Sequence, residues 1–113
     1  MKIDYVEFPS TDLELTKKFF AEVFGWKFTD YGPNYTAFSD AGIDGGFFPS
    51  DLSSRSETGA ALIVFYSDTL EKTRASIIGA GGCIVKEIFE FPGGRRFHFT
   101  EPSGSEFAVW THA

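Results

Sequence analysis

Polar and apolar positions alternate from Lys2 to Pro9, with Ile3, Tyr5, Val6 and Phe8 in the run, which predicts a half-buried strand. Ser10-Thr11-Asp12 then offers side-chain acceptors for a helix N-terminus, and Glu14 adds a negative charge to the first turn. Phe19, Phe20, Val23 and Phe24 recur at three- and four-residue spacing, so Leu13–Phe24 is predicted as a helix with one apolar face. Gly25, free to adopt positive φ, is placed to end it. Beyond it, Trp26–Phe28 and Tyr35–Ser39 read as strands flanking a Tyr31-Gly32-Pro33-Asn34 turn. Asp40–Gly46 reads as a Gly-rich turn leading into Phe47-Phe48.

Residues 49–59 are Ser-rich and without periodicity, and read as a linker. The same order of elements then returns. Ala60–Tyr66 reads as a strand, Ser67-Asp68-Thr69 as a second cap, Leu70–Ile78 as a helix and Gly79–Gly82 as its break. Cys83–Val85 starts a further strand, and Arg95–Thr100 and Phe107–Thr111 are two more, separated by turns at Phe91–Gly94 and Glu101–Gly104. Leu13 lies over Leu70 and Gly25 over Gly82 at one common offset, positions 13 to 70 and 25 to 82. A supersecondary unit repeated in register predicts one α+β domain of two modules, residues 1–48 and 60–113, joined by the linker.

Composition narrows the partners. With 113 residues there is room for one core, and 14 Phe, four Tyr and two Trp make 18% of the chain aromatic, enough to build that core and to line a pocket as well. The net charge of -6 disfavours nucleic acid and anionic membranes, and Lys17-Lys18 and Arg95-Arg96 are too short to act as basic patches. Cys83 is alone, so no intramolecular disulfide is expected, and it reads as a small buried hydrophobe. No apolar run of leader or membrane-spanning length is present, so a cytoplasmic location is expected.

Two motifs carry a resemblance. The stretch from Asp4 through Ser10-Thr11-Asp12-Leu13 and Phe19-Phe20 to Val23-Phe24-Gly25-Trp26 resembles the opening of vicinal-oxygen-chelate proteins, the relatives of glyoxalases, bleomycin-resistance proteins and extradiol dioxygenases. Phe97-His98-Phe99-Thr100 followed by Glu101-Pro102-Ser103-Gly104-Ser105-Glu106 resembles the aromatic strand and Asp-Pro-x-Gly-Asn-Glu-like turn of the same superfamily. The resemblance implies two βαβββ modules forming a curved mixed sheet with a central cup. It also implies a divalent metal held by His, Gln or Glu in that cup. The positions corresponding to those ligands hold Tyr5, Leu62, Ala108 and the stretch Gly45–Phe48. Leu62 and Ala108 have no donor and a phenol is a poor ligand for hard divalent ions, so no metal is expected.

Strand alternation suggests what lines the cup instead: Tyr5, Glu7, Tyr35, Tyr66, Arg96, His98, Glu106 and Trp110, with Ala37, Leu62, Val64, Ala108 and Thr100 on the same face. His98 beside Glu7 is a candidate acid–base pair. Against these readings, Glu7 could form a structural ion pair with Arg96, Glu106 could cap its turn, and the Tyr and Trp side chains could fill the core. His112, next to the C-terminus, carries no functional signal. The expected function is metal-independent binding of a small molecule, of an antibiotic-sequestering or ligand-binding type. The alternative is a glyoxalase-like lyase or isomerase acting on a small oxygenated substrate. Open, curved half-sheets with exposed edges predict a homodimer.

Overall fold

The computed structural model describes residues 1–113. The first module contains β1 (Tyr5–Ser10), α1 (Leu13–Phe24), β2 (Lys27–Asp30), β3 (Thr36–Ser39) and β4 (Asp44–Pro49). The second repeats the order with β5 (Ile63–Tyr66), α2 (Leu70–Gly79), β6 (Cys83–Phe91), β7 (Gly94–Thr100) and β8 (Glu106–His112). The strands form two four-stranded sheets, ordered β1-β4-β3-β2 and β5-β8-β7-β6, with β1–β4 and β5–β8 parallel and the remaining pairs antiparallel. The two-module α+β architecture is the one the repeat predicts, with both helices starting at the predicted leucines. The sheets share no ladder, however, so within one chain each sheet supplies half a cup.

The local causes are partly those expected. The Asp12 carboxylate accepts a hydrogen bond from the Leu15 N–H, and Gly25 closes α1 at φ 72° while donating to the Ala21 carbonyl. In α2 the repeat is imperfect. Thr69 occupies the cap without a side-chain bond, although Ser67 accepts from the Thr69 N–H and bonds to the Thr73 hydroxyl as Ser10 does with Asp12 and Thr16. The positive φ falls on Gly81, while Gly82 is needed because a Cβ there would meet the buried side chain of Ile77.

Three expectations need correction. Asp40–Gly46 is not all turn: β4 begins at Asp44 and runs parallel to β1, pairing Tyr5 with Asp44 and Glu7 with Gly46. The strand from Cys83 continues to Phe91, and register shifts between Ile84 and Lys86 and between Lys86 and Phe89 hide its alternation from a period-two reading. Cys83 is exposed, not buried.

The modules meet through their helix-covered faces. Phe20 of α1 stacks on Trp26 at 4.4 Å and on Phe47 at 5.6 Å, and meets Phe107 of the second sheet at 5.2 Å. Phe24 lies 4.1 Å from Phe65, Phe19 lies 5.9 Å from Phe99, and Phe8 touches Phe107 directly at 5.3 Å. Helix α1 is thus shared by both sheets. Phe19, Phe20, Phe47, Phe97, Phe99 and Phe107 are each at most 1% exposed, and burying each such ring is worth roughly 2–3 kcal/mol, which makes this shared core the main adhesive.

A polar staple fixes the angle. The buried Glu101 carboxylate accepts from the Ser103 N–H, the Ser103 hydroxyl and the Ser105 N–H within its own turn, and from the Thr16 hydroxyl of α1. Beside it the Thr11 hydroxyl donates to the Ser103 carbonyl at 3.0 Å. The linker joins the same region, with the Glu106 N–H donating to the Ser54 carbonyl at 2.7 Å. Glu101→Ala strands several buried donors at once. The expected loss is about 3 kcal/mol in urea unfolding, with Glu101→Gln milder. A wild-type midpoint for Glu101→Ala counts against the staple.

Candidate functional site

With the helix faces turned inward, strand alternation turns Tyr5 and Glu7 outward on the first sheet, and His98, Glu106 and Trp110 outward on the second. Each sheet therefore carries its own polar cluster.

On the first sheet Tyr35 reaches across β4 at Gly46. A Cβ at Gly46 would occupy the volume of the Tyr35 hydroxyl, so this glycine is required by a close approach. Tyr35 donates to Glu7 Oε2 at 2.8 Å, and its hydroxyl lies 2.6 Å from that of Tyr5. Because the Tyr35 proton points at Glu7, Tyr5 must be the donor to Tyr35. The chain of bonds therefore runs one way, from Tyr5 to Tyr35 to the carboxylate. Burial pushes the Tyr35 phenol well above the ordinary tyrosine range, and its bonds to Tyr5 and Glu7 add to the shift. Tyr5 also borders an open cavity of about 400 Å³ lined by Thr29, Tyr31 and Asp44.

On the second sheet the register sets side chains in rows. Tyr66, Trp110, Arg96 and Phe89 are successive cross-strand partners over β5, β8, β7 and β6. Val64, Ala108, His98 and Lys86 form the next row. His98 Nδ1 lies 2.9 Å from Glu106 Oε2, and the Arg96 guanidinium places Nη2 2.9 Å from His98 Nε2. A guanidinium only donates, so His98 Nε2 accepts and Nδ1 carries the proton that goes to Glu106. Glu106 Oε1 accepts from both the N–H and the hydroxyl of Ser56 in the linker. Burial pushes the Glu106 carboxyl up, but the bonds from His98 and Ser56 outweigh it and hold it below the usual carboxylate range.

Several sequence expectations are corrected by these contacts. His98 is paired with Glu106 and not with Glu7, which is bonded to Tyr35 on the other sheet. Glu7 makes no ion pair with Arg96, because the two sit on faces turned away from one another. Glu106 does not cap its turn; Glu101 does. Tyr5 and Tyr66 are not core filling, being nearly half exposed. His112 packs on Trp110 at 4.8 Å and on Tyr66 at 5.1 Å, forming an aromatic edge.

Sequence reasoning missed Ser56, hidden in a stretch read as plain linker. It also missed Phe89 and Phe91, whose parity the shifts in β6 obscure. The pair of glycines in the middle of β4 was the available signal for Gly46. A further, predominantly apolar cleft of about 380 Å³, lined among others by Val6, Phe8, Trp26, Ile63, Phe65 and Tyr66, lies along the seam between the modules.

The family model described as Glyoxalase/Bleomycin resistance protein/Dioxygenase superfamily matches residues 2–109, and the chain belongs to that superfamily. Among solved structures, a glyoxalase/bleomycin resistance protein/dioxygenase family enzyme from Burkholderia phytofirmans PsJN superposes with a TM-score of 0.80 at 17% identity, covering 98% of this chain and 100% of the other. The fosfomycin resistance protein FosX from Listeria monocytogenes also gives 0.80 at 17% identity, covering 100% and 94%. Lactoylglutathione lyase from Agrobacterium tumefaciens gives 0.72 at 18%, covering 97% and 92%. At these identities the likeness is one of fold. No curated protein matches the sequence.

The Tyr35 chain has a spectroscopic signature. In an alkaline absorbance titration of the folded protein, Tyr35 should stay protonated through the ordinary tyrosine range. Gly46→Ala expels its hydroxyl from Glu7 and should bring one more tyrosine into that range. Superimposable titration curves for the two proteins would contradict the assigned chain of bonds.

Proposed function

We propose that the protein is a small-molecule-binding member of its superfamily that uses no divalent metal and works as a homodimer. The supporting observation is the chemistry of the cup faces. Where the superfamily holds its ion, this chain offers the Tyr5 phenol, already committed to Tyr35, and two side chains without donors, Leu62 and Ala108. No three His, Cys, Asp or Glu side chains gather into a possible metal site. Glu7 is bonded by Tyr35, and both imidazole nitrogens of His98 are engaged, one of them by a guanidinium that an incoming cation would have to displace. These residues do not fit the ion.

Binding needs less than catalysis does, and the faces supply it: aromatic walls with a few oriented polar groups. The reading as a lyase or isomerase loses its proposed His98–Glu7 pair and, with it, its acid–base couple. The geometry of the sheet edges supports the dimer. Each half-cup is open, β1 and β5 end their sheets with unpaired edges, and Tyr5, Val64 and Tyr66 on those edges are 41–48% exposed. A second copy can complete both halves by symmetry.

Light scattering at tens of micromolar should give the mass of a dimer, an order set by ordinary interface affinities. Elemental analysis of protein purified without chelator should give far less than one Zn, Ni, Mn or Fe per chain, with no turnover of a hemithioacetal substrate. Near one metal per chain, lost on Glu7→Ala or His98→Ala, overturns the metal-free reading.

A further inference from the structure

Of the four arginines, Arg55, Arg74 and Arg95 each pair with a carboxylate, Glu57, Glu87 and Glu71 respectively. Arg96 pairs with none. It is half-buried on the cup face of β7, in a protein with a net charge of -6 and carboxylates to spare. Its Nε and Nη2 both point at His98 Nε2, at 3.3 and 2.9 Å, and no other protein acceptor receives its remaining N–H groups. The side chain is held between rings: its guanidinium carbon lies 5.7 Å from the Phe89 centroid and 6.0 Å from that of Phe91. It also opens on a slot of about 220 Å³ walled by Val64, Phe91 and Trp110.

The unused N–H groups of this guanidinium are not buried; they face the open slot, where a ligand rather than a protein acceptor can meet them. Glu106, the nearest carboxylate on the same face, is turned away toward His98 and Ser56. The vacant half of the guanidinium fork suits the two oxygens of a carboxylate, and the walls of the slot suit a flat ring. We propose that Arg96 anchors the carboxylate of a small aromatic acid whose ring packs over Trp110 and Phe91. This deepens the small-molecule reading and rests on it. The His98–Glu106–Ser56 chain serves as positioning machinery, because His98 offers Arg96 an acceptor only while its proton stays on Nδ1 toward Glu106.

A slot of about 220 Å³ has room for one ring, so benzoate is the probe, with benzylamine and benzyl alcohol as cationic and neutral controls. Trp110 lines the slot while Trp26 lines the seam cleft, so the quenching of tryptophan fluorescence that is lost in Trp110→Phe reports on the slot, and calorimetry supplies an independent readout. Benzoate should bind wild type at least about tenfold more tightly than either control, and Arg96→Gln should lose about tenfold or more of that affinity while keeping a cooperative melt. Arg96→Lys, which keeps charge but loses the fork, should fall between the two. Equal binding of all three probes, or an Arg96→Gln variant with unchanged affinity, overturns the assignment. If benzoate fails while benzylamine or benzyl alcohol binds and Glu7→Gln abolishes that binding, the Arg96 assignment falls and the small-molecule reading stands. If no probe binds and native mass spectrometry of the fresh protein shows no retained molecule, both fall.

Discussion

Two open sheets, each with an apolar face to cover, have to be served by two short helices of 12 and 10 residues. The chain meets this constraint by inserting α1 between the sheets, so that Phe20 faces Trp26 and Phe47 on one side and Phe107 on the other, while Phe19 and Phe24 meet Phe99 and Phe65. Aliphatic side chains of similar length would bridge less of that span. Flat rings reach both sheets and stack at several angles, which accounts for the high phenylalanine content. Everything polar then follows from parity. Once Phe8 and Phe107 point into the shared core, Tyr5, Glu7, Glu106 and Trp110 must point out of it, on faces that cannot meet within one chain.

The fold was legible because its signals are local and repeated. Asp12, Gly25 and the Phe19-Phe20-Val23-Phe24 stripe define α1 from neighbouring residues alone, and the common offset to Leu70 predicts the second module. The losses came where a contact over a long sequence distance decides the outcome. Gly45 and Gly46 look like turn residues, yet they belong to β4 because Phe38 and Tyr35 need the space a Cβ would fill. The strand β6 looked short because its register shifts twice. At the site, alternation brought Tyr5, Glu7 and Tyr35 onto one face and Arg96, His98 and Glu106 onto another. The pairing of His98 with Glu7 failed because alternation says which way a strand faces, and not which way two sheets face each other.

The two outward clusters differ in chemistry. On the first sheet the chain of bonds from Tyr5 through Tyr35 ends on a carboxylate and leaves a phenol oxygen free to accept, with Asp44 nearby. On the second the bonds from Ser56 and His98 converge on Glu106 and leave a guanidinium free to donate. Both clusters are hydrogen-bonded on their inner side and present solvent-accessible groups on their outer side.

An anion anchored at Arg96 is compatible with an acidic protein because the net charge is a poor guide at contact distance. Interactions between exposed charges fade over a Debye length of about 8–10 Å, whereas a half-buried guanidinium acts on a ligand in direct contact. The carboxylates close to the slot are, moreover, already engaged. Glu106 accepts from His98 and Ser56, and Glu71 is held by Arg95 on the opposite face of β7. Adjacent arginines of one strand thus have opposite fates by parity alone: Arg95 turns toward α2 and finds a carboxylate, and Arg96 turns to the cup face and finds rings. A local attraction for anions at Arg96 is therefore compatible with a net negative charge spread over the rest of the chain.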